Sequence, residues 1–306
     1  MKLNTKQKIA LASAFSTGIR GCRGLLGLSN VVCTRRNGLN WKLDLREGID
    51  FSIYLLGGFE LPTLRLYKKV CAAVRPRIVF DIGANIGAHT LPLAQLLQQH
   101  DGRVHAFEPT HWALSKLRTN LALNPALAPV VHAVQAMLVA DSTKKVKEQI
   151  YSSWPLAGGE GLHAVHCGRL NETTGAIAIT LDNYVAQNRL DTVDLIKIDV
   201  DGNEPQVLNG AMQTIRQFAP LILMEWSPHL FLDQPEVMKK MLAQLQALDY
   251  RIRHGGTGSP IIGGQSELDK LTPKEGSINI LFVPARYARI FGKNGPGRCL
   301  NNDCQG

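Results

Sequence analysis

The sequence predicts an open α/β fold with a mostly parallel sheet, and three observations carry that expectation. From residue 78 onward, short apolar runs of strand length alternate with segments of helical periodicity, the pattern of parallel strands joined by helical crossovers. The run Ile78–Ile82 leads into Gly83-Ala84-Asn85-Ile86-Gly87 and then a helix-like segment, a glycine-spaced turn where such sheets bind nucleotide-like ligands. Acids stand at the carboxyl ends of four expected strands, at Asp81, Glu108, Asp199 and Glu225. Ligands of open α/β sheets bind just outside those ends.

Three regions follow from the composition. Residues 1–75 read as a basic N-terminal cap, 76–290 as the main domain and 291–306 as a loose tail. In the cap, residues 9–28 suggest a helix broken by Gly18, Gly21, Gly24 and Gly27. Residues 41–45 alternate apolar and charged, as a half-buried strand does, and Leu61–Val74 suggests a helix closing onto the main domain.

In the main domain, Ile78–Ile82 is the first strand and 89–99 the helix after it, with Pro92 tolerated in the first turn. Residues 104–107 form the second strand. Thr110 caps a helix with Ala113, Leu114, Leu117 and Leu121 on one face, stopped by Asn124-Pro125. Residues 130–139 are a third strand, and 140–176 suggest a loop or hairpin insertion around Gly158, Gly159 and Gly161. Asp182 is expected to cap a short helix. Residues 195–200 are a strand apolar enough to be buried on both faces. Val207, Leu208, Ala211, Ile215 and Phe218 mark one helix. Residues 221–224 are the fifth strand, Val237 to Leu248 a further helix, and 250–253 and Ile278–Val283 the last strands. Between them, the Gly-rich stretch 254–276 is long enough to suggest a functional loop, such as a lid.

The chain has 306 residues, a net charge of +9 and 45% hydrophobic residues, enough for a packed core. Its first 43 residues hold eight Lys and Arg and no acid. The remainder is nearly neutral, which disfavours a duplex-gripping enzyme. The basic extension suits a membrane surface, an anionic substrate or another subunit, beside the plainer reading of a solvated helical face. Six scattered cysteines without a Cys-x-x-Cys pair read as free thiols. No apolar run reaches membrane-spanning length, and residues 2–15 make a poor signal peptide. A cytoplasmic location is expected.

The acid inside the glycine turn bears on the ligand. Asp81 would repel a pyrophosphate, whereas S-adenosylmethionine (AdoMet) carries a sulfonium and an ammonium. Gly83 and Gly87 would let the backbone approach such a cofactor, and Asn85 would bond it or tolerate a left-handed turn. Glu108, 21 residues beyond Gly87, is placed to accept hydrogen bonds from ribose hydroxyls. Asp199 would contact the cofactor's amino group or act as a base. Glu225 ends the neighbouring strand and joins Asp199 as a candidate catalytic group. Asp201 and Glu204 suit either function or helix N-terminal electrostatics. Lys197 is expected to pair with an acid of the cleft. No metal site is assigned; Mg²⁺ held by Asp199, Asp201 and Glu225 is a weaker alternative. His229 is an alternative base.

The strings Phe80-Asp81-Ile82-Gly83-Ala84-Asn85-Ile86-Gly87, Phe107-Glu108-Pro109, Thr180-Leu181-Asp182, Leu195 to Glu204 and Val207-Leu208-Asn209-Gly210-Ala211 resemble the FkbM-family class I methyltransferases. The resemblance covers about residues 75–285. The block from Ile196 to Ala211 is its specific part, and Asp201 departs from the glutamate more usual there. It implies a Rossmann-like, seven-stranded sheet with one antiparallel strand. It also implies AdoMet-dependent O-methylation of sugars, polyketides or related metabolites. A nucleic-acid methyltransferase is the competing expectation. It lacks both the Asn/Asp-Pro-Pro-aromatic motif and a Pro-Cys nucleophile in this sequence. A non-catalytic binding module on the same scaffold is the third.

Overall fold

The computed structural model describes residues 5–143, 145–156 and 168–291. The chain opens with α1 (Thr5–Leu25), a hairpin of β1 (Val31–Arg36) and β2 (Leu39–Asp44), then α2 (Gly48–Leu56) and α3 (Leu61–Val74). The main domain follows with β3 (Ile78–Ile82), α4 (Thr90–Leu97), β4 (Arg103–Phe107), α5 (His111–Ala122) and β5 (Val131–Val134). Four short strands come next: β6 (Ala136–Leu138), β7 (Gln149–Ser152), β8 (Arg169–Glu172) and β9 (Ile177–Ile179). The second half runs α6 (Leu181–Gln187), β10 (Leu195–Ile198), α7 (Glu204–Asn209), α8 (Met212–Phe218) and β11 (Leu221–Trp226). It ends with α9 (Pro235–Gln246), β12 (Arg251–His254), α10 (Gly264–Leu271) and β13 (Ile278–Val283).

Seven strands form one sheet in the order β12-β13-β11-β10-β3-β4-β5. β13 runs antiparallel to both neighbours and the other pairings are parallel. This is the expected Rossmann-like class I methyltransferase sheet. Its strand order reverses between β3 and β10, the switch point where open α/β sheets bind ligands.

The two-residue period of the strands divides the sheet into two cores. Val79, Leu195, Leu221, Leu223 and Leu281 face one side, where α2, α3, α4, α5 and the hairpin pack. Phe80, Ile82, Ile196, Ile198, Met224 and Phe282 face the other, beneath α6, α7, α8 and α9. Trp41, Leu43, Phe51, Ile53 and Tyr67 of the N-terminal region are buried in the first of these cores. That region therefore covers the sheet rather than standing apart from it.

Several local expectations need correction. The α1 helix is continuous from Thr5 to Leu25; its glycines permit a break without imposing one. The third strand splits at Gln135, and β6 leaves the main sheet to pair with β9. The insertion contains the antiparallel pair β7–β8; Gly158, Gly159 and Gly161 lie outside the described residues, as does the tail beyond 291. Thr180, not Asp182, caps α6 by accepting from Asn183 N. Asp182 instead accepts from the backbone of Gln213 and Thr214 and fixes the start of α8. The expected Val207–Phe218 helix is two helices, α7 and α8. Residues 254–276 form no lid: Ile261 bonds back to Ile252, and Leu268 of α10 is fully buried against the sheet.

The turn after β3 is fixed by a close approach. Gly83 has φ +80°, and a Cβ there would lie 1.8 Å from the Asp199 carbonyl oxygen. Strands β3 and β10 can end side by side only if this residue lacks a side chain. Gly83→Ala is accordingly expected to cost at least about 3 kcal/mol through strain and backbone clash, read as a large loss in thermal or urea midpoint, or as failure to fold.

Candidate active site

Lys197 is the centre of the carboxyl edge. It pairs in register with Asp81 across β10 and β3, so both side chains lie on the same face. Its Nζ sits 3.1 Å from Asp81 Oδ1, 3.5 Å from Asp199 Oδ2 and 2.9 Å from the Gly83 carbonyl, to which it donates. Burial opposes the ammonium, but Asp81 and Asp199 hold it well above the usual lysine range. Burial likewise opposes the Asp81 carboxylate, and Lys197 reverses the balance and lowers its pKa. Thr90 Oγ1 donates to the other Asp81 oxygen at 2.6 Å. The expected pairing of Lys197 with cleft acids is thus present.

Three cavities meet along this edge. A cleft of about 400 Å³ is bordered by Gly83, Asn85, Glu108, Met137, Tyr151 and Asp199, among others. A chamber of about 360 Å³ lies under the N-terminal region, with walls from Ile9, Ala12, Leu56, Phe59, Trp154 and Leu156. Between them is a junction of about 50 Å³ bounded by Asn85, His89, Glu60, Asp199, Asp201 and Glu225. Asp201 borders all three.

The expected site residues separate into two groups. Gly83, Asn85, Asp199 and Glu225 border the junction, and Glu108 borders the cleft. Asp81 and Gly87 border none of these cavities, unlike the other expected site residues. Asp81 is fully buried and consumed by Lys197 and Thr90. At Gly87 a Cβ would come within 2.6 Å of Leu117 and Leu91, so the glycine serves helix packing. Asn85 takes φ +48° and its side chain accepts from Ile86 N, so it does stabilise the left-handed turn.

Glu108 accepts from Asn85 N through Oε2, and from Thr110 N and Oγ1 through Oε1. One oxygen is heavily used, while Oε2 keeps room for another donor. Burial raises its pKa despite these bonds.

The acids around the junction repel one another. Burial lifts Asp199, with Glu60 and Asp81 adding to the effect against Lys197, although its carboxylate keeps 30% exposure to the cleft. The surrounding protein and the neighbouring Asp199 and Glu204 raise the Asp201 pKa, although the residue itself stands exposed at the rim of the site. Glu204, buried and bonded by Val200 N and Gly202 N, is pushed up to about 7, chiefly by burial. Glu225 is raised furthest, by burial and by Asp199 and Asp201; Ser277 Oγ donates to it. Among the described residues no group of three or more His, Cys, Asp or Glu side chains is arranged to hold a metal ion.

Several site residues were not anticipated from sequence. Glu60, at φ +49° just before α3, accepts from Asn279 Nδ2 at 2.6 Å and lies 3.5 Å from His89 Nε2. Burial opposes its charge, but His89 and Lys197 lower its pKa. The His89 ring packs edge-on against Phe59 and Tyr67. Trp154 stands 5.6 Å from Phe59, centroid to centroid. The Trp154 segment is tied down from the N-terminal side: Gly48 N donates to Trp154 O, Leu156 N to Arg46 O, Ser13 Oγ to Leu156 O and Ser153 Oγ to Glu47. His229 borders the chamber from the turn Pro228–Phe231, and burial lowers its pKa.

The seven-stranded sheet and the acid-lined switch point define a class I methyltransferase fold. The family model described as "Methyltransferase FkbM domain" matches residues 81–252, and the chain belongs to that family. A curated relative, the 31-O-demethyl-FK506 methyltransferase FkbM of Streptomyces tacrolimicus, is 28% identical over 178 residues, covering 49% of this chain and 66% of that protein. The chain thus spans just under two thirds of that relative's length. Among solved structures, a methyltransferase FkbM from Methylobacillus flagellatus KT is 19% identical, covering 67% of this chain and 43% of that one, with a TM-score of 0.41. An O-methyltransferase from Bacillus cereus, solved in complex with SAH, is 14% identical, covering 73% of this chain and 78% of that one, with a TM-score of 0.42.

Two outcomes test the electrostatics. Lys197→Met strands Asp81 in the core and should cost about 3–5 kcal/mol; the double variant with Asp81→Asn should recover part of that in urea unfolding. A carboxyl whose pKa is raised on folding stabilises the fold fully below its unfolded pKa and loses that contribution as pH rises through the folded value. The raised value of the buried Glu204, about 7, therefore makes the ligand-free chain less stable at pH 8 than in mild acid. Glu204→Gln should flatten that slope in a series of thermal melts. A slope that stays unchanged would contradict the assignment.

Proposed function

We propose that the chain transfers a methyl group from AdoMet to a hydroxyl of a small molecule or sugar. The carrying observation is the pair of larger cavities joined through one acid-lined junction, with Asp201 on the wall of all three. The cleft at the switch point suits the cofactor. Glu108 Oε2 is placed for a ribose hydroxyl, and Asp199 and Asp201 complement a sulfonium and an ammonium. A pyrophosphate would meet the same carboxylates unfavourably. When bound, AdoMet supplies an electrophilic methyl group.

The chain's own residues do the rest. The chamber holds the acceptor, and its aromatic and aliphatic walls exclude water from the junction. Aligning the acceptor hydroxyl with the methyl group supplies much of the acceleration. Glu225 borders both chamber and junction, whereas Asp199 borders junction and cleft but not the chamber. The base that takes the hydroxyl proton is therefore assigned to Glu225, and Asp199 to holding the cofactor. A positive charge in the junction lowers the pKa of every carboxylate around it, so cofactor binding prepares Glu225 to accept a proton.

Calorimetry with AdoMet and its demethylated product tests the first half. Glu108→Gln is expected to weaken binding by about tenfold or more, the loss of a hydrogen bond to a charged group. Asp199→Asn should weaken binding as well. Glu225→Gln should keep cofactor affinity and lower kcat by about 10²-fold or more. No heat with either compound defeats the proposal, and full turnover by Glu225→Gln defeats the assignment of the base.

A further inference from the structure

The α1 helix is pinned by one face and bare on the other. Ile9, Ala12 and Ile19 pack against the core, and Ser13 and Ser16 donate to the carbonyls of Leu156 and Leu45. Opposite them, Leu11, Phe15, Cys22 and Leu25 follow one another at spacings of four, seven and three, which keeps them on one helical stripe. Leu11, Phe15 and Leu25 are 53%, 57% and 89% exposed. Leu26 and Leu28 extend the stripe, and Leu55 and Leu56 at the end of α2 are exposed too. Among the described residues nothing covers this face. Its orientation is fixed by the buried face, so the outer apolar residues gain nothing from folding.

Two further observations indicate what it meets. The first 43 residues contain eight Lys and Arg and no acid, so the face lies on a segment of one sign. An anionic lipid surface complements both the apolar stripe and the positive sign of the segment that carries it. The same elements also wall the chamber: Ile9 and Ala12 border it from α1, and exposed Leu56 from α2. The chamber thus lies under the inner face of α1 and meets the exposed apolar surface at Leu56.

We infer that the outer face of α1, with Leu55 and Leu56, docks on an anionic bilayer and sets the mouth of the chamber against it. No helix among the described residues is long and apolar enough to cross a membrane, so α1 lies in the plane of the interface. An acceptor dissolved in that surface reaches the chamber without passing through water. The docking itself does not depend on methyl transfer.

Sedimentation of the full chain with phosphatidylcholine vesicles, with and without phosphatidylglycerol, tests the inference. Binding should require phosphatidylglycerol and weaken as salt rises. Phe15→Glu combined with Leu26→Glu should lower partitioning by about tenfold or more, with unchanged circular dichroism and unchanged heat of AdoMet binding. The gentler pair Phe15→Ser and Leu25→Ser serves if the charged variant misfolds. Three results overturn the inference: no binding at low salt, equal binding by variants and parent, or a concentration-dependent dimer that the same substitutions abolish. The last would assign the face to a second copy of the chain.

Discussion

Lys197 and Asp81 stand side by side on neighbouring strands, and from that position one ammonium reaches two carboxylates and the Gly83 carbonyl. A buried charge is tolerated only when paired and hydrogen-bonded, so the end of β10, the glycine turn and the first turn of α4 are held by a single set of contacts. Thr90 completes it from α4. The arrangement leaves the edge short of positive charge. Asp199, Asp201, Glu204, Glu225 and Glu60 crowd the same space, with Lys197 already shared. The raised pKa values of Asp199, Asp201, Glu204 and Glu225 are the measure of that shortage, whereas Glu60 is held down by His89 and Lys197; a cationic ligand relieves it. Fold stability and ligand preference thus share one electrostatic origin.

The sheet was legible because its signals are local. Ile78–Ile82 and Leu195–Ile198 are short, bounded by turns and apolar apart from the paired Asp81 and Lys197, and the structure buries them on both faces as such strands require. Leu61–Val74 carries both a Pro near its start and an apolar stripe, and the helix has those ends. The acids Glu108, Asp199 and Glu225 fall at the rim because strand ends can be read from sequence. The breaks inside longer patterns were not legible. Val207 to Phe218 has one helical period, yet Gly210 must pass 2.1 Å from the Val139 carbonyl, measured from a built Cβ, and the helix divides there. That contact comes from the residue just after β6, about seventy positions away. Asn37-Gly38, with φ +47° and +83°, is a hairpin signal of the strongest kind, and it supplies the partner strand that the alternation at residues 41–45 alone does not reveal.

The roles of Asp81 and Gly87 show a different limit. Their residue types suit a ligand, but the same types suit the scaffold: a buried carboxylate needs a buried cation, and a tight turn needs space. Sequence spacing places both at the turn without saying which way they face. Glu60, His89 and Trp154 were missed for the converse reason. Glu60 and Trp154 have no motif near them in sequence, and His89, two residues beyond Gly87, reads only as the start of a helix. They become neighbours only when the N-terminal elements fold down over the sheet and the Trp154 segment is drawn in by Gly48, Arg46 and Ser13. The roof of the site is thus assembled from parts of the chain lying largely outside residues 81–252, the span that defines the family.

This division of labour bears on acceptor choice. The floor of the site, from β3, β4 and β10, carries the residues proposed to hold the cofactor, and it is the part shared with the family. The chamber takes most of its walls from α1, α2, the Phe59-Glu60 loop and the Trp154 segment. On the proposed reading, those elements select the acceptor. Their apolar surfaces favour a substrate with an apolar body. Glu60, Asp201 and Glu225 at the inner end accept hydrogen bonds from hydroxyls and repel a carboxylate or phosphate at the same depth, since two like charges a few ångströms apart in a site shielded from water cost more than either gains by contact. An uncharged hydroxyl on an apolar frame satisfies both ends of the chamber. On the same reading, a phosphodiester satisfies neither end.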